Sequence, residues 1–287
     1  MMETVGSVAV VLGVYMAAEL LLGRFPLRNV TRRNNGLDIA AFLQASVLVG
    51  PLIVYGAAAI ERHLLPGMAD AWIDTPWWLQ VLAFLVFEDM VQYWYHRISH
   101  HRWLWPFHKF HHTPEYMGAR IVFRNSFFYD LLMPNLWLAS VLVYLGFGEV
   151  YFWYYLVKLV VTIGAHSEVR WDSVLYRYRV LHPLAWIVER TISTPATHFA
   201  HHAYTESDGV GHYNGNFGNL LFFWDVLFGT AHITRRYPER YGVENEAQPD
   251  PWHVLIFYPL FRTRNPSRTE KALGKTPDSP QPLDTPR

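Results

Sequence analysis

Long uncharged apolar runs dominate the first part of the chain. Residues 39–60, IAAFLQASVLVGPLIVYGAAAI, hold no charge and one strongly polar side chain, Gln44. A membrane span needs ~20 mostly apolar residues, so this run predicts one. Residues 4–23, TVGSVAVVLGVYMAAELLLG, predict another, with Glu19 near its end. No basic stretch precedes that run and no A-x-A site follows it, which argues against a cleaved signal. Residues 77–95, WWLQVLAFLVFEDMVQYWY, form a third candidate, apolar first and polar later. Residues 131–165 stay apolar with interruptions at Pro134, Asn135, Gly146, Gly148, Glu149 and Lys158. At a rise of ~1.5 Å per residue, that run is too long for one span and slightly short for two. The GFG at 146–148 is its natural break, so it predicts a hairpin that leaves and re-enters one face. The expectation is a multi-pass membrane protein with four to five hydrophobic segments, the last two paired.

The charges between these runs orient them. Arg24, Arg28, Arg32 and Arg33 follow the first run, and Glu61, Arg62, Asp70 and Asp74 follow the second. The positive-inside rule puts the first loop in the cytoplasm and the second outside. The third run then returns to the cytoplasm at His96, where Arg97, Arg102, Lys109, Arg120 and Arg124 follow. A soluble all-helical protein with buried core helices is the competing reading.

Composition narrows the chemistry. The chain has 287 residues, 51% hydrophobic and 17% charged, with a formal net charge of zero. That size fits one large domain or two small ones, and the charge balance gives no reason to expect a nucleic-acid partner. There is no cysteine, which excludes disulfides, thiolate metal sites and cysteine-ligated iron–sulfur clusters. Fifteen histidines leave imidazole as the abundant metal ligand besides carboxylate. No solenoid repeat is present. Residues 266–287 are polar and proline-rich and read as a disordered tail. Residues 251–262, PWHVLIFYPLFR, read as a segment at the membrane surface.

The histidines fall in three clusters with ligand spacing. His96 and His100 stand four apart, at the end of the third run, and share a helical face. Asp89 and Tyr93 precede them on the same stripe, and an aspartate there can accept the second ring N–H of a ligand and fix its tautomer. His108, His111 and His112 have the spacing H-x-x-H-H, which recurs at His198, His201 and His202. On a helix the first histidine shares a face with the second and with the third, while the adjacent pair diverges by ~100°. Each cluster can therefore reach two metal ions.

In these residues the chain resembles the fatty acid hydroxylase (sterol desaturase) superfamily of integral-membrane di-iron oxygenases. Its three histidine boxes read here HRISH, HKFHH and HFAHH. The flanks match as well: DMVQYWYHRISH around the first box, Thr194-Pro195 before the last, and NFGNLLFFWDVLFGT at 216–230 after it. The likeness covers roughly residues 85–232. It implies an all-α fold in which membrane helices carry a cytoplasmic histidine-rich cap, a single domain over residues 1–265, and O2-dependent oxidation of lipid C–H bonds. It also implies two iron ions held by His96, His100, His108, His111, His112, His198, His201 and His202, residues that are then catalytic. His166, in GAHSEVR, matches the family's lone histidine, and the expected hairpin would deliver it to the same surface. It is expected as a ninth ligand.

The chain departs from the family pattern in three places. An insertion separates HSEV (166–169) from the last box. His212 stands where an acidic residue is common. Asn125 and Ser126 stand near a position often held by histidine. These differences bear on substrate more than on chemistry. His182, in the insertion, and His212 are left as open ligand candidates. His101 lies ~100° off the His100 face and is not expected to bind metal. His63, His232 and His253 are read as incidental.

Neutral imidazoles suit iron and leave room for O2, whereas a closed structural zinc site would give no oxidation. An apolar substrate would enter from the bilayer, with Trp103, Trp105, Phe107, Phe123, Phe127 and Phe128 as a candidate aromatic border. No electron-carrying domain is legible, so a separate electron-transfer protein is expected. Hydroxylation and desaturation remain sister outcomes. The alternatives are a non-redox metallohydrolase and a histidine-based metal transporter, although the latter would place its ligands near midspan.

Overall fold

The computed structural model describes residues 2–26, 30–244 and 250–262. Arg28 and the 266–287 tail, both used in the sequence reading, lie outside the described residues. Among the described residues the chain is all-helical, with no strand. In chain order the α-helices are α1 (Met2–Leu21), α2 (Arg32–Gln44), α3 (Gly50–Leu64), α4 (Trp77–Phe84), α5 (Val91–Ser99), α6 (Trp105–His112), α7 (Phe127–Leu131), α8 (Pro134–Leu142), α9 (Gly148–His166), α10 (Ser173–Arg177), α11 (His182–Thr191), α12 (Pro195–His201), α13 (Phe223–Phe228) and α14 (Trp252–Phe257).

Two helical stretches, Arg32–Leu64 and Phe127–His166, are long and apolar enough to cross a membrane by length and composition. A shorter apolar helix covers Gly6–Leu21. The first stretch joins α2 to α3 through a π-helical turn at Ala45–Val49. It starts before the apolar run that predicts it, because its polar first turns are tied down by partners. The Thr31 hydroxyl caps it by accepting from Asn34 N–H. Asp38, also before the run, takes ion pairs from Arg120 and Arg124. The third expected run is helical from Trp77 to Ser99, with a second π-turn at Leu85–Met90.

The hairpin expected in residues 131–165 is present. α8 and α9 meet at a break where Gly146 has φ 114°, a left-handed backbone that glycine adopts without penalty. A Cβ there would also stand 2.9 Å from the Ile73 backbone. The 65–76 connection straps this turn, with Asp70 N–H donating to Tyr144 O and Trp72 N–H to Leu145 O. The two arms then close on one side chain. Asn135 Nδ2 on α8 donates to Glu88 Oε1 at 2.8 Å, and from α9 the Tyr154 hydroxyl and the Lys158 ammonium donate to the same carboxylate. Asn135 and Lys158 can share Glu88 only if the arms run antiparallel. Phe84, Ala139, Leu142, Phe147, Tyr154 and Leu220 fill the space between them. The hairpin therefore returns the chain to the end where His96 leaves α5, and His166 is its last helical residue.

Candidate metal centre

Four segments converge at that end: the end of α5, all of α6, the end of α9, and α12. Their histidines are buried, and they divide into two groups of facing ring nitrogens. One holds His96, His100, His108, His112 and His201; the other holds His111, His166, His198 and His202. Within each group the candidate ligand atoms all lie within 4.8 Å of one another.

The division follows helix geometry and adds something to it. Each H-x-x-H-H box keeps its i, i+4 pair together: His108 and His112 Nε2 stand 3.2 Å apart, as do those of His198 and His202. The middle histidine of each box crosses to the other group. His201 Nε2 lies 3.0 Å from His96 Nε2, and His111 Nε2 lies 3.3 Å from His166 Nε2. His166 also stands 2.9 Å from His198. The groups adjoin through the stacked rings of His112 and His202, with centroids 4.4 Å apart.

Tautomers decide what these contacts mean. The Nδ1 atoms of His96, His201 and His166 lie 2.7, 2.7 and 2.8 Å from the carbonyl oxygens of Phe217, Gly215 and Thr162. A carbonyl only accepts, so each Nδ1 carries the proton and each Nε2 presents a bare lone pair. Two lone pairs at 3.0 Å repel unless a cation lies between them. At a metal–nitrogen distance of ~2.1 Å, neighbouring ligands of a tetrahedral or octahedral ion stand roughly 3.0–3.4 Å apart. The Nε2 separations fall at that spacing. Among the described residues, buried His100 Nε2 has no hydrogen-bond partner, which leaves it free to bind a metal. The residues fit two adjoining cations.

Charge state agrees. Burial takes His96 down to about 4. Burial, reinforced by the neighbouring rings, holds His100, His108, His111, His112, His198, His201 and His202 well below the ordinary imidazole range. Neutral imidazole is the ligating form.

The expectation that Asp89 accepts a ligand ring N–H is not met, because the backbone carbonyls do so instead. Asp89 is buried one layer further out. It accepts from Trp224 Nε1 at 2.8 Å and Leu221 N–H at 3.1 Å, with Lys158 Nζ at 3.7 Å. It thereby anchors the 217–224 segment that carries the Phe217 carbonyl. Tyr93 bonds Thr230 through its hydroxyl and accepts from Arg97, and touches no ligand nitrogen through it.

Two supports were not singled out from the sequence. Asp225 accepts from Phe217 and Gly218 N–H at 2.8 and 2.7 Å, and Asn216 Nδ2 donates to Thr197 O and His232 O. The NFG-to-GT stretch that carried the resemblance was their only signal.

The open candidates lie apart from both groups. His182 Nε2 bonds Tyr176 O. His212 Nδ1 stands 3.6 Å from Glu206 Oε1, with its ring against His232. His101 and His63 are exposed, and His253 packs against Trp252 and Phe261. The six candidate border aromatics also scatter. Trp105 packs on His100 and His112, Trp103 is exposed, and Phe107 and Phe127 pack on Tyr258 and Phe257. Phe123 meets Phe42, and Phe128 meets Phe127.

Comparison with known proteins agrees with this site. The chain is 31% identical over 176 residues to alkylglycerol monooxygenase of Danio rerio, covering 55% of this chain and 32% of that protein. It is 28% identical over 195 residues to ornithine lipid hydroxylase OlsE of Rhizobium tropici, covering 66% and 53%. The chain thus spans about half or less of the length of these relatives. No solved structure matches it. The family model for fatty acid hydroxylase matches residues 81–230, the stretch that carries all three histidine boxes and His166, and the chain belongs to that family.

Proposed function

We propose that this chain is a membrane-bound lipid oxygenase that inserts oxygen into, or desaturates, an aliphatic C–H position at a histidine-ligated di-iron centre. The observation that carries the reading is the pair of facing Nε2 lone pairs on His96 and His201, set among nine buried imidazoles that gather in two adjoining groups. His96, His100, His108, His112 and His201 would hold one iron, and His111, His166, His198 and His202 the other. Iron, when bound, supplies redox activation of O2, which imidazole alone cannot provide.

The protein's own residues do the rest. The Phe217, Gly215 and Thr162 carbonyls hold three rings in the ligating tautomer. Burial keeps the imidazoles deprotonated and excludes bulk water. The relatives are named an alkylglycerol monooxygenase and an ornithine lipid hydroxylase, so a lipid with a long alkyl chain is the substrate class proposed here. The histidine-rich end faces the cytoplasm, in keeping with Arg24, Arg32, Arg33, Arg97 and Arg102 around it and the positive-inside rule. Electrons come from a separate carrier protein.

The test is lipid mass spectrometry of cells with and without the gene, combined with metal analysis of purified protein. A lipid that gains one oxygen or loses two hydrogens, with bound iron and O2 consumption, supports the reading. Turnover under strict anaerobiosis, or full activity with zinc alone, refutes it.

A further inference from the structure

Among the described residues, α11 and α13 leave an apolar face exposed. Leu184, Trp186 and Ile187 on α11, and Phe223, Val226 and Leu227 on α13, are all exposed, Ile187 and Leu227 at 55% each. Scattered exposed apolar residues need no explanation, but a contiguous patch does. The helices touch and bury their carboxylates inward: Glu189 of α11 takes Arg235 and the half-exposed Arg190, whose guanidinium lies over the edge residue Trp186, and Asp225 of α13 takes the 217–218 backbone. The polar faces serve the protein and the apolar faces point away from it. In a water-soluble amphipathic helix the arrangement is reversed.

The height of α13 identifies what covers this face. Its Trp224 donates to Asp89, and its last residue, Phe228, stacks on Tyr93 and packs at a tilt against Trp94, with centroids 5.4 and 4.9 Å apart. Residues 89–94 lie inside the apolar run 77–95, so α13 docks roughly 2–9 Å below the end of that run at ~1.5 Å per residue. In-plane amphipathic helices sink to that depth in a leaflet. Leu82, Phe87 and Trp94 on the same run are exposed as well, and Trp94 meets Phe228 at the end of α13. Exposed Arg177 and Arg179 precede α11, where a basic rim would meet lipid phosphates.

We infer that α11 and α13 form an in-plane membrane anchor whose apolar face is immersed in the phospholipid leaflet at the histidine-rich end. α12 and its His198–His202 box are thereby held at the bilayer boundary. The inference rests on reading residues 77–95 as a span, and the experiment separates the two.

The chain has no cysteine, so single-cysteine variants Ile187→Cys and Leu227→Cys can carry a fluorescent label in full-length protein reconstituted into phosphatidylcholine–phosphatidylglycerol vesicles. Leu82→Cys serves as the span control and Glu239→Cys as the aqueous control. The expected result is loss of most fluorescence at 187 and 227 with brominated lipid and little loss with aqueous iodide, matching Leu82→Cys. Quenching by iodide instead would overturn the anchor. So would protection from both quenchers, which would mean that a second copy covers the face. If Leu82→Cys itself is unreached by brominated lipid, the membrane reading fails, whatever the anchor does.

Discussion

His96 Nε2 and His201 Nε2 face each other at 3.0 Å while each ring's Nδ1–H is spent on a backbone carbonyl. The pair cannot be a hydrogen bond between neutral rings, and it joins the first histidine box to the third. If both rings serve one ion, removing either should cost the same ion. We predict that His96→Ala and His201→Ala each lose about one metal ion per chain, and that the double variant loses no more than either single. Combining His96→Ala with His198→Ala should empty the protein. Metal analysis of the four purified variants decides this, and an additive loss in the first double variant would break the assignment.

His166 closes the second group from α9, far in sequence from any box. His166→Ala should lose about one ion and nearly all turnover, whereas His101→Ala, an exposed neighbour of His100, should lose neither. Full metal content in His166→Ala protein would remove it from the ligand set.

Asp225 holds the Phe217 and Gly218 N–H groups, and so the carbonyl that sets the His96 tautomer. Asp225→Ala should weaken metal affinity by about 10–100-fold, the range seen for outer partners of ligating histidines. Competition against a calibrated chelator measures it. An unchanged affinity in a folded variant would show that the segment is held by Asp89 alone.

Low pH should act on the unfolded chain before it acts on the site. The unfolded histidines take up protons near pH 6.5, while burial takes His96 in the folded protein down to about 4. The unfolded state therefore binds more protons between these values, so stability falls as pH falls through that window. The thermal midpoint should drop from pH 7 to pH 5 while the folded fraction still retains metal. Metal release at pH 6 from protein that stays folded would contradict this.

Gly146 combines a positive φ with a backbone contact at Ile73. Gly146→Ala should destabilise the hairpin by about 1–3 kcal/mol, read as a lowered midpoint in detergent. An unchanged midpoint would mean that the 65–76 strap yields freely.

Periodicity and spacing determined much of this protein by themselves. Apolar runs predict helices because a backbone with no water to bond must satisfy itself internally, and the glycine at 146 marks the turn because few other residues take its φ. The i, i+4 pairs His108/His112 and His198/His202 were legible because helical geometry is local.

Spacing left open which of the two groups each middle histidine joins. That depends on how α6 and α12 face each other, which brings His201 to His96 and His111 to His166. Sequence also pointed to Asp89 as the partner of a ligand ring, since the shared stripe is a local feature. The tertiary structure gave that role to the Phe217, Gly215 and Thr162 carbonyls. Backbone acceptors have no residue signature, and only the packing of the 215–224 segment and the hairpin brings them within reach of the rings.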